Sequence, residues 1–217
     1  MNRLLEIMGC VPSREHIMED DGCAGYIALQ HVRQSYSWDC GLACVMMELR
    51  EKGMTCTLED LMQVCGTKSV WTVDLAYILS RYGVNFTFYT VTDGVRPEYD
   101  TEAFYKADID KDMLRVNRLF ESAGSLNIRI EKRSVDSAEL VASVQAGYMA
   151  IVLIDKRLLP GNTLARLIQN SISMGYIGHY VIVCGFHQRT QSVVITDPAS
   201  AEARLRVPLS EFDVAVR

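Results

Sequence analysis

The 217-residue chain has no uncharged run near the ~18 residues a membrane-spanning helix needs, so no membrane partner is expected. It has no cluster of lysine and arginine. Its formal net charge is −5 with a pI near 5.4, which argues against nucleic acid as a partner. No glycine-rich loop stands ready to cradle a triphosphate. Paired Cys-x-x-Cys motifs are also missing, and the spacings of Cys40, Cys44, Cys56 and Cys65 do not suit a structural zinc site. Seven cysteines is an odd number for a disulfide framework in a chain this long. Glu6 stands too early for a signal-peptide apolar region, so a reducing, cytoplasmic compartment is the expectation.

What is present is the composition of an ordinary folded domain: 49% hydrophobic and 23% charged residues. The expectation is an irregular N-terminal arm over 1–25 followed by a single domain over 26–217. A strand is expected around Tyr26–Leu29, and surface roles for His16 and His31. From Cys40 the apolar residues Leu42, Val45, Met46 and Leu49 recur at helical spacing, with Glu48, Arg50, Glu51 and Lys52 on the opposite face and Gly53 as the stop. Asp39 stands at the N-cap position. Cys40 therefore falls in the first turn of a helix, where unpaired backbone N–H groups and the helix dipole favour a thiolate. Cys44, one turn on, reads as a buried core residue.

Further helices are expected from Thr57 to Gly66 (a capping box with Asp60), over 70–81, from Asp110 and from Asp136, with Ser210 capping a terminal turn. Val84–Val91 alternates like a strand. Met149–Ile154 is continuously apolar, as in a strand covered on both faces. Tyr180–Phe186 and Ser192–Thr196 read as a hairpin, with an edge strand at 205–207. The acidic stretch 98–112 reads as surface, and the long connection 155–178 as a loop bordering a cleft. Helices first and an antiparallel sheet later make an α+β domain.

In such a hairpin His179, before one strand, lies beside Asp197, after the next, as a carboxylate must lie to orient an imidazole. Set against Cys40, that imidazole can take the thiol proton, and the Gln34 amide with the Cys40 N–H can hold an oxyanion. Trp38, Asp39, Gly41 and Gly178 flank the reactive pair and are expected to contact substrate.

Gln34-x5-Cys40 within Trp38-Asp39-Cys40-Gly41-Leu42-Ala43-Cys44, with Gly178-His179-Tyr180-Val181-Ile182-Val183 and Asp197-Pro198-Ala199, resembles the papain-like peptidase domains that process bacteriocin leaders. The resemblance implies a papain-like fold, with the helix carrying Cys40 packed on a C-terminal sheet carrying His179 and Asp197. It also implies the roles of nucleophile, base, orienter and oxyanion donor for Cys40, His179, Asp197 and Gln34. A narrower likeness covers most of 30–207. Tyr36-x-Trp38-Asp39-Cys40-Gly41-Leu42-Ala43-Cys44, Val70-Trp71-Thr72-Val73-Asp74-Leu75-Ala76-Tyr77, Arg115-Val116-Asn117-x-Leu119-Phe120 and Ala150–Leu153 are similar to the eukaryotic guanylyl-cyclase-domain-containing protein family. That name implies formation of cyclic GMP from GTP with magnesium or manganese held by carboxylates. Asp74, Asp93, Asp108, Asp110 and Asp112 are the candidates, although helix caps and solvated turns account for them as well. Three readings follow: a cofactor-free cysteine hydrolase of peptide or isopeptide bonds, a guanylyl cyclase, or a non-catalytic interaction module. Oligomeric state is left open.

Overall fold

The computed structural model describes residues 7–10, 17–20, 23–94, 109–159 and 176–216. His16, Asp108, most of the 98–112 stretch and residues 160–175 of the 155–178 connection lie outside the described residues.

The chain is built on one nine-stranded sheet, β1 (Ile7–Cys10), β2 (Ile17–Asp20), β3 (Cys23–Ile27), β4 (Phe86–Thr90), β5 (Arg129–Lys132), β6 (Met149–Asp155), β7 (Gly178–His187), β8 (Ser192–Thr196) and β9 (Leu205–Pro208). The order is β2-β3-β7-β6-β1-β4-β5, with β8 joining β7 to β9. Every pairing is antiparallel except β4 with β5. The irregular arm expected over 1–25 is corrected here. β1 is an interior strand between β4 and β6, and β2 and β3 extend the sheet beyond β7. β1 pairs with β4 and β6, and β3 with β7, across long stretches of chain, whereas β2 pairs only with its neighbour β3.

Among the described residues six α-helices cover the sheet: α1 (Cys40–Glu51), α2 (Leu58–Cys65), α3 (Thr72–Arg81), α4 (Ile109–Ser122), α5 (Ser137–Gln145) and α6 (Leu209–Ala215). Local chemistry set several boundaries. Thr57 and Asp60 exchange side-chain and backbone hydrogen bonds at the start of α2, and Gly66 closes it at φ 68°. The Asp136 carboxylate accepts from the Glu139 N–H at 2.8 Å to open α5. The terminal helix follows Pro208, so Ser210 lies inside it rather than at its cap.

β6 is buried along its whole length because both faces are covered. Met149, Ile151 and Leu153 join the core beneath α1, α2 and α3, while Ala150, Val152 and Ile154 join a second core beneath α5 and α6. Alternate residues of β7 divide the same way, Tyr180 and Ile182 to one side, Val181 and Val183 to the other. Each such buried aliphatic side chain contributes about 1.5–3 kcal/mol.

α1 departs from expectation. Residues Cys40–Leu49 are all buried, including Glu48, which is 0% exposed and meets Lys52 at 3.4 Å. Besides β7, α2 and α3 also pack on α1, and Arg50, Glu51 and Lys52 stay partly exposed.

Candidate active site

α1 packs against β7. A Cβ at Gly41 would sit 2.9 Å from Leu75 Cδ1 and 3.0 Å from Tyr180 Cδ2, so only glycine lets the tip of α1 approach this closely. The Tyr180 hydroxyl and the Thr72 hydroxyl share a hydrogen bond of 2.7 Å, tying the start of α3 to the same strand. The loop before Cys40 is folded by Asp39. Its carboxylate accepts the backbone N–H groups of Ser35 and Tyr36, each at 3.0 Å, and its carbonyl accepts from Ala43 at 2.9 Å. Asp39 thus occupies the N-cap position without capping through its side chain.

His179 is the second residue of β7, and Asp197 directly follows β8. The hairpin brings them together: Ile182 pairs with Thr196, and His179 Nε2 lies 2.6 Å from Asp197 Oδ1. The Cys40 side chain is close enough to the His179 ring to help raise its pKa. With Nε2 engaged by Asp197, Nδ1 is the ring nitrogen left for sulfur. Burial alone would lower the imidazole's pKa, but Asp197 and Cys40 outweigh it and hold it above the ordinary histidine value. Burial works against the Asp197 carboxylate too. The His179 contact, helped by the Ala199 N–H at 2.7 Å, nonetheless brings its pKa below the ordinary value. Cys40, His179 and Asp197 are 4%, 3% and 6% exposed. Cys44 is 0% exposed, and burial raises its thiol pKa well above the usual range, with Cys40 and Asp197 adding to the rise.

The remaining expected site residues divide. Trp38 is half-buried and stacks on Tyr36 with ring centroids 5.7 Å apart. Gly41 and Gly178 are buried backbone positions, the first a packing site and the second the start of β7 paired with Asp155. Asp39 is corrected as a substrate contact: it is 0% exposed and both carboxylate oxygens hold the loop. The Gln34 amide nitrogen donates to the Tyr36 carbonyl at 2.5 Å, while its Oε1 is buried without a hydrogen-bond partner. The Gln34 backbone N–H donates to the Pro198 carbonyl at 3.0 Å.

One neighbour escaped the sequence reading. His31 Nε2 lies 3.1 Å from the Asp197 carbonyl oxygen, so residues 31–34 strap the turn that carries Asp197. No spacing rule relates His31 to a residue 166 positions away.

The carboxylates considered for metal fall elsewhere. Asp74 accepts the Trp71 N–H at 2.8 Å and an ion pair from Arg115. Asp112 accepts from the same guanidinium at 3.0 and 3.1 Å, from Trp71 Nε1 at 3.0 Å and from the Ser69 hydroxyl. Asp93 pairs with Lys132 at 2.6 Å. Asp74, Asp93 and Asp112 are thus each matched to a cation of the chain. Among the described residues no group of three or more His, Cys, Asp or Glu side chains is placed to hold a metal ion, so the described carboxylates do not fit one. Nor is any helix among the described residues long and apolar enough to cross a membrane.

Residues 29–217 match a family model described as guanylylate cyclase. A protein named Guanylyl cyclase 1 from Arabidopsis thaliana is 41% identical over 189 residues, covering 85% of this chain and 69% of its own length. No solved structure matches the chain.

Proposed function

The chain belongs to the guanylylate cyclase family, and from that premise we propose that its chemistry is run by the Cys40 thiol in a papain-like arrangement, hydrolysing a peptide or isopeptide bond. The observation that carries this reading is the buried grouping of Cys40, His179 and Asp197, with 2.6 Å between the imidazole and the carboxylate.

His179 takes the thiol proton as sulfur attacks the substrate carbonyl carbon, opening the C=O to an oxyanion. The Cys40 backbone N–H at the tip of α1 meets that oxyanion, and the Gln34 amide joins it by releasing the Tyr36 carbonyl. The intermediate collapses, the C–N bond breaks, and the leaving amine takes the proton from His179. Water, deprotonated by the same imidazole, then cleaves the thioester, and the proton returns to sulfur. Asp197 keeps the ring oriented and stabilises it while charged.

A second reading, formation of cyclic GMP from GTP, is favoured by the family match and by the name of the Arabidopsis relative. The two part on one residue. The hydrolase reading expects limiting iodoacetamide to alkylate Cys40 ahead of Cys44, Cys56, Cys65 and Cys184, read by peptide mapping. Preferential labelling elsewhere overturns it. The cyclase reading expects manganese-dependent cyclic GMP from purified protein that survives Cys40→Ala.

A further inference from the structure

The loop that leads into Cys40 borders an open pocket of about 440 Å³, lined by Tyr36, Trp38, Met62, Gly66, Thr67 and Lys68. Its wall is the stacked Tyr36–Trp38 pair, whose rings are 12° from parallel. Tyr36 is 57% exposed, a large aromatic surface left facing solvent. Among the described lining residues Lys68 is the sole charged side chain, on a chain whose net charge is −5. Only Asp39 separates Trp38 from Cys40, so their Cα atoms lie within about 7.6 Å.

We propose that this pocket is the specificity subsite for a peptide segment bearing an aromatic side chain next to an acidic residue. The inference deepens the hydrolase reading and rests on it for the fate of the bound segment. The aromatic ring packs against Trp38 and Met62 and continues the stack begun by Tyr36. The neighbouring carboxylate meets Lys68. Because Lys68 is exposed, its charge contributes less than the ring. A segment with a basic residue in that place meets the ammonium with like charge and is disfavoured.

The test uses Cys40→Ala protein and three dipeptides, acetyl-Asp-Phe-amide, acetyl-Lys-Phe-amide and acetyl-Asp-Ala-amide, with binding read from tryptophan fluorescence and two-dimensional NMR. Asp-Phe is expected to bind about fivefold to tenfold more tightly than Asp-Ala and about threefold more tightly than Lys-Phe. Shifts should be confined to Tyr36, Trp38 and residues 62–68. Lys68→Glu should invert the order of the Asp and Lys peptides, and Tyr36→Ala should remove most of the phenylalanine preference; both positions are exposed, so the fold survives either change. Equal binding of all three peptides, or shifts elsewhere, overturns the proposal. Iodoacetamide mapping on the unmodified protein reports separately on the hydrolase reading. Selective dipeptide binding without Cys40 labelling leaves the subsite standing and the hydrolase reading fallen; Cys40 labelling with no peptide selectivity does the reverse.

Discussion

Two buried aspartates, Asp74 in the first turn of α3 and Asp197 after β8, have different surroundings. At α3, Asp74 shares the Arg115 guanidinium with Asp112, and hydrogen bonds from Trp71 and Ser69 occupy the remaining carboxylate positions. One guanidinium holds both carboxylates there in a fixed set of hydrogen bonds. Near the tip of α1, Asp197 is partnered by an imidazole that Cys40 also influences. That cluster has a mobile proton and a polarizable sulfur but no permanent cation. The first is built as a clamp between α3 and α4. The second is built so that its charge distribution can change. Two cysteines repeat the lesson within one helix: Cys44 is sealed with a raised pKa, whereas Cys40, one turn earlier, meets His179.

Perturbing both clusters sharpens the contrast. The largest effect is expected from His179→Ala, which should slow iodoacetamide alkylation of Cys40 by about 10²–10⁴-fold and leave Cys56 unchanged, read by timed mass spectrometry. An unchanged Cys40 rate would make the imidazole a spectator. Arg115→Ala should do the opposite. It leaves two buried carboxylates uncompensated and should cost about 2–3 kcal/mol, less than for a fully buried pair because Arg115 is 31% exposed. Denaturant titration reads that loss, and the Cys40 alkylation rate should hold. A fall in that rate would show that the two clusters are coupled.

His31→Ala should cost about 1 kcal/mol and slow Cys40 alkylation by a few-fold, since the strap across the Asp197 turn is then held by the Gln34–Pro198 contact alone. Loss of stability with no change in alkylation would restrict His31 to a structural part. The smallest effect is a slope. His179 binds its proton more tightly in the folded chain, so its contribution to stability is fully present below pH ~6.5 and fades as pH rises through the raised folded value. Asp197 runs the other way: its contribution is present above the ordinary value of 3.8 and is lost as pH falls through the lowered one. Denaturation midpoints measured from pH 6 to 9 should decline in the unmodified protein and flatten in Asp197→Asn. A parallel slope in both would remove the pair from the linkage.

The residues by themselves determined whatever depends on near neighbours. The Thr57–Asp60 capping box and the Asp136 cap follow from side chains within a turn of the backbone groups they satisfy, the stop at Gly66 from its left-handed backbone, and the start of a helix at Cys40 from the apolar spacing behind it. The β7–β8 hairpin is nearly as local, and because it is, the meeting of His179 with Asp197 was legible from 18 residues of spacing. Only the tertiary structure decided which strands flank β6, how many sides of α1 are covered, that Glu48 is buried, and that His31 reaches the Asp197 carbonyl. Periodicity reports that a face is apolar, not how many elements will come to cover the helix. Backbone pairing across more than a hundred residues leaves no mark on the spacing of either partner.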